Sequence, residues 1–151
     1  MAARTTRRWL GWAAAILFAL GPGSLARAGD GIWSALVLAT NEHPPKAAPA
    51  SLKPFAAGLH TVFGYNSYYL VGSKELDLSK GSAAWVVPAK EVFLKLRCID
   101  RTPTMYHVQI DLYVRKQLVV TSEVKLGKGA PLYIRGPAWG KGRLVFILQA
   151  D

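Results

Sequence analysis

The order of apolar and polar positions from residue 31 onward predicts one helical stripe set among many strands. Ile32–Thr40 (IWSALVLAT) is apolar almost without interruption over the length of a strand. Such a run predicts a strand covered on both faces. Residues 41–50 (NEHPPKAAPA) have no period and read as a mobile surface connection. Leu52, Phe55, Ala56, Leu59, Val62 and Phe63 then recur at helical spacing. They form one stripe expected to face a sheet, with Lys53, Ala57 and His60 on the wetter side. Ser51 is placed to cap the first turn, Pro54 is tolerated there, and Gly64 is placed to close the far end. Gly58 weakens a helix by about 1 kcal/mol relative to Ala, so packing must hold this one. A strand followed directly by a helix also predicts parallel pairing through a crossover.

Beyond Gly64 the period changes to two. Residues 67–78 are rich in Tyr, Val and Leu, with a bulge expected at Gly72-Ser73. Residues 84–87 form a short strand before Pro88. Residues 91–99 place Val92, Leu94, Leu96 and Cys98 on one face. Residues 106–114 place Tyr106, Val108, Ile110, Leu112 and Val114 inward, and His107, Gln109, Asp111 and Tyr113 outward. Leu118, Val120, Val124 and Leu126 continue the inward set. Leu132 and Ile134, then Leu144, Phe146 and Leu148, supply the last two strands. One apolar and one polar face indicates antiparallel sheet, and short turns indicate a meander. The expected fold is α+β: a mainly antiparallel sheet with one amphipathic helix packed on it. The alternative is a β-sandwich with one helix.

The first residues do not fit this pattern. In residues 1–28, Arg4, Arg7 and Arg8 precede an uncharged apolar run, then Gly21-Pro22-Gly23 and the small-x-small triplet Ala26-Arg27-Ala28. That is the layout of a cleaved export signal, and it leaves residues 29–151 as a single β-rich domain. The run over residues 9–20 is shorter than the roughly 20 residues of a membrane span. An uncleaved inner-membrane anchor is the alternative. Thr6-Arg7-Arg8-Trp9-Leu10 resembles a twin-arginine signal, although basic pairs are also common in ordinary export signals, which are favoured here. The expected location is the periplasm or the medium.

Composition sharpens this. The chain has 151 residues, 51% hydrophobic, too apolar for disorder. Its net charge of +10 falls once the signal is set aside: residues 29–151 keep 15 of the 19 basic residues against all 9 acidic ones, +6. A moderately basic surface suits an envelope protein or an anionic envelope polymer as partner, and an exported protein has little access to nucleic acid. One cysteine excludes a disulfide framework. His43, His60 and His107 lack metal-ligand spacing, so no metal or cofactor is expected. Cys98 alternates with Leu94 and Leu96 and reads as a buried thiol rather than as a nucleophile served by His107. Glu75 and Asp77, Asp111 and Glu123 fit polar strand faces. No nucleophile elbow, phosphate-binding loop or dinucleotide fingerprint is present, and no catalysis is expected.

Residues 133–143 (YIRGPAWGKGR) stand out. Trp139 lies among Arg135, Lys141 and Arg143 on a glycine-rich turn, with Tyr133 close by. Such a loop could stack a sugar or meet a lipid interface, or its tryptophan could fold back and pin the turn. Phe63-Gly64-Tyr65-Asn66-Ser67-Tyr68, Pro131-Leu132-Tyr133-Ile134-Arg135-Gly136-Pro137 and Gly140-Lys141-Gly142 together resemble small exported proteins of unknown function from Gram-negative bacteria. That resemblance implies no activity. Two functions stay open: a non-catalytic envelope protein acting through protein–protein interaction or assembly, and a module binding anionic glycan or lipid through Tyr133, Arg135, Trp139, Lys141 and Arg143. A small hydrolase is a distant third.

Overall fold

A computed structural model describes residues 31–151; the expected export signal, residues 1–28, lies outside them. Strands β1 (Ile32–Thr40), β2 (Ser67–Leu76), β7 (Leu132–Trp139) and β8 (Gly142–Ala150) form one sheet in the order β2-β1-β8-β7. Strands β3 (Ala83–Trp85), β4 (Val92–Thr102), β5 (Met105–Val114) and β6 (Gln117–Gly127) form a second, in that order. All paired strands run antiparallel. A 3-10 turn (Ala50–Phe55) leads into helix α1 (Ala56–Phe63), and both lie on the outer face of the first sheet. The fold is therefore mainly antiparallel with one short helix, and its sheet is divided in two: helix, sheet, sheet.

The layering follows from strand phase. In β1, Ile32, Leu36 and Leu38 face the second sheet, while Trp33, Ala35, Val37 and Ala39 face the helix. In β8, Leu144, Phe146 and Leu148 face inward, and Val145 and Ile147 face the helix. Both strands are central and covered twice, which is why they are apolar throughout. The predicted parallel crossover does not occur. The helix instead returns the chain to β2, antiparallel beside β1, because a helix laid along a sheet face can connect neighbours of either sense.

The helix departs from expectation at Val62 and at its start. Leu52, Phe55 and Leu59 are buried as expected, but Val62 is 57% exposed. Only eight residues are α-helical and the 3-10 turn precedes them, so the change in residues per turn rotates Val62 off the contact. Ser51 does not cap; Pro49 precedes the 3-10 turn and no side chain caps it. Gly64 does close the helix, at φ 74°. The connection before it is pinned rather than loose. Asn66 Oδ1 accepts from the Glu42 amide at 2.9 Å, and Ser67 Oγ accepts from the Lys46 amide at 3.0 Å.

In the second sheet Val92, Leu94, Leu96 and Cys98 pair with the inward residues of β5, as their alternation predicts. Strand β6 departs from prediction. The register slips between Leu112 and Tyr113, so Tyr113 pairs with Leu118, and Val119 is the extra residue. A bulge breaks the alternation. Leu118, Val119 and Val120 are 52%, 51% and 47% exposed, and the inward set resumes only at Val124 and Leu126.

Candidate functional site

The glycine-rich segment is part of the scaffold. Trp139 is half-buried and packs against the core between the sheets, as Leu132 and Ile134 do elsewhere on the same strand. It pairs with Gly142 across a two-residue turn, and Gly140 takes a φ of 56°. A side chain at Gly142 would strike the Ala39 carbonyl and come within 2.7 Å of Thr40 Cγ2. Glycine there lets the turn close onto β1. Strand β7 bulges between Arg135 and Ala138, and Arg143 bridges the bulge, donating from Nη1 to the Gly136 carbonyl at 2.8 Å. Tyr133 points to the opposite side of the sheet, under the helix, edge-on to Phe63 at 6.4 Å. Burial raises its phenol pKa. Arg135 and Lys141 are exposed. The five predicted binding residues are thus divided between two faces of one sheet, and three of them are engaged in packing.

The polar chemistry of the outer face of the second sheet is also engaged. Asp111 accepts from Thr121 Oγ1 at 2.6 Å and from Gln109 Nε2 at 3.0 and 3.2 Å. Its carboxyl pKa is lowered, first by the Thr121 bond and further by Gln109, Lys95 and Arg97, against the opposing effect of burial. His107 Nε2 lies 3.1 Å from Glu123 on this same outer face. Cys98 belongs to the inner core and faces away from it. Burial raises the Cys98 thiol pKa. Cys98 and His107 therefore do not meet. Among the described residues no three of His, Cys, Asp and Glu converge as metal ligands.

What the second sheet does expose is apolar. Phe93, Tyr113 and Leu118 form one row across β4, β5 and β6. Trp85 packs edge-on to Phe93 at 6.3 Å and tilted to Tyr113 at 5.7 Å. Lys95 Nζ lies 5.5 Å from the Trp85 ring centre. Trp85 is 47% exposed. Beside this row Val119 is the bulged residue and Val120, opposite the inward Leu112, is exposed at the edge of β6, which among the described residues pairs with β5 alone. Sequence reasoning passed over Trp85 and Phe93. Their signal was an aromatic residue at the outward phase of an alternating strand, where a polar one is expected.

Comparison with known protein families, characterised proteins and solved structures finds no match to this chain. Among the described residues no helix is long and apolar enough to cross a membrane.

Proposed function

We propose that this is an exported, non-catalytic protein of the bacterial cell envelope that acts by protein–protein interaction, taking a partner strand on the open edge of β6. The observation that carries the reading is the Leu118-Val119-Val120 run on an edge strand. Edge strands are usually protected by charge, proline or brevity. This one has a bulge at Val119 and carries Glu123 and Lys125 in its second half, but its first half presents three exposed aliphatic side chains in succession. Its unpaired amides and carbonyls suit strand addition, in which main-chain bonds supply affinity and side chains supply selectivity. Export rests on the basic start, short apolar run and small-residue site of residues 1–28. The rival reading, a glycan or lipid loop at Trp139, is less well supported, because Trp139 and Arg143 already pack and bond within the fold.

The test is a photo-crosslinking residue at Val119, expressed in the producing cell. It should give a discrete adduct in the envelope fraction, whereas the same group at the exposed Lys53 on the helix side should not. Absence of an adduct at Val119, with the protein present and folded, would reject the edge as the binding site.

A further inference from the structure

We infer that the aromatic end of the second sheet is a docking surface for an anionic lipid bilayer, adjoining the open edge of β6 at Leu118 but independent of the partner proposed there. Four side chains build it: Trp85, Phe93, Tyr113 and Leu118, in mutual contact or in direct register across four strands. A patch of this kind on a soluble face marks an interaction site. Its indole and phenol are side chains that settle at the headgroup level of membranes, and its phenyl ring and one aliphatic group add apolar area beside them.

The ring geometry separates lipid from sugar. A sugar needs an open ring face to stack on. Here Trp85 stands at 79° to Phe93 and 56° to Tyr113, with Lys95 over its ring. The rings make a ridge rather than a platform, which suits insertion among acyl chains and headgroups.

Charge selects an anionic surface. The β5–β6 turn is Arg115-Lys116, with φ values of 51° and 64°. Two left-handed positions in a hairpin favour Asn-Gly. Two cations occupy them instead, at the same end of the sheet as the ridge. Exposed Lys90 lies on the neighbouring connection, whose Glu91 carbonyl accepts from the Arg115 amide at 2.8 Å. Two carboxylates lie nearby: Glu91 faces Arg115 at 3.7 Å, and Asp111, opposite Lys95 in the register, stays ionised and offsets that lysine. Lys90 and Lys116 are left to frame the ridge with positive charge, matching a bilayer rich in acidic headgroups.

Co-sedimentation of the full chain with phosphatidylglycerol–phosphatidylcholine vesicles, against phosphatidylcholine alone, tests this. Residues 1–28, with Arg4, Arg7, Arg8 and Arg27 beside an apolar run, contribute equally to parent and variants, so the comparison between them isolates the ridge. Binding to the anionic vesicles should be stronger and should weaken with salt. Lys90→Gln and Lys116→Gln should each lower affinity about fivefold, the factor for removing one basic residue near an anionic membrane. Trp85→Ser, and separately Leu118→Ser, should lower it in protein that a thermal melt shows to be folded at the assay temperature, while the uncharged Val120→Ser on the open edge should bind as the parent does. Equal binding by the parent, Trp85→Ser and the two lysine variants would overturn the proposal. So would indifference to lipid charge, or self-association that buries the ridge without any vesicle binding.

Discussion

Gly58→Ala should destabilise the protein, although helix propensity alone says the reverse. Gly58 lies in the middle of α1, and an exposed helical glycine replaced by alanine gains about 1 kcal/mol. The Cβ that alanine adds would strike the Tyr133 hydroxyl and lie 2.9 Å from its Cζ and 3.1 Å from its Cε2. Tyr133 cannot move freely, because it is half-buried under the helix with Phe63 edge-on to it. Overpacking of this kind costs roughly 1–3 kcal/mol. Set against the propensity gain, the net loss is about 1 kcal/mol. Tyr133→Leu removes the obstruction, so Gly58→Ala in that background should stabilise by about 1 kcal/mol. The coupling between the two positions is then about 2 kcal/mol, well beyond the scatter of independent sites. Urea unfolding of the four proteins at constant m-value measures it. A Gly58→Ala protein more stable than its parent, or effects that simply add, would refute the packing of α1 against Tyr133.

Phe55→Ala, which removes a buried ring stacked on Trp33 at 5.0 Å, should cost about 3–5 kcal/mol, while Val62→Ala should stay within about 0.5 kcal/mol; chemical denaturation distinguishes them. Trp139→Ala should lower the melting temperature, costing about 2–3 kcal/mol because the ring is only half-buried, and a melt identical to the parent's would return Trp139 to the list of binding residues. Thr121→Val should raise the Asp111 pKa towards the ordinary carboxylate value, as read by carbon-detected titration. A carboxyl whose folded pKa is depressed adds stability that is complete above about pH 4 and is lost as pH falls through the folded value. The variant should therefore lose stability relative to the parent at neutral pH, and the gap should close in acid.

Much of the architecture is legible from phase alone. The unbroken apolar run of β1 and the alternation of β4 and β5 each specify which side is covered, because a side chain's face is fixed by its parity. Division into two sheets is legible only as the alternative expectation, a β-sandwich with one helix. The links from β2 to β3 and from β6 to β7 carry the chain between sheets, yet their turn residues look like those of a meander. The β6 bulge was equally hidden. Leu118 and Val120 keep the parity of an inward pair, and only the slip at Val119 turns Leu118 to the outer face beside Tyr113 and leaves Val120 exposed at the strand edge. Val62 failed for a related reason: six residues wound as 3-10 shift the stripe. At the glycine-rich turn the residue types were conspicuous, but type does not reveal that Trp139 and Tyr133 point to opposite sides of one sheet.

The central claim is that β6 is open in the isolated protein and occupied in the envelope. Amide hydrogen exchange, read by mass spectrometry on the protein purified alone and on the protein extracted with its envelope partners, addresses it directly. The account predicts fast exchange in isolation at those amides of Leu118–Val124 that point away from β5 and slowed exchange at the same amides in the extract, with the helix residues Ala56–Phe63 unchanged. Identical exchange over β6 in both preparations would contradict it.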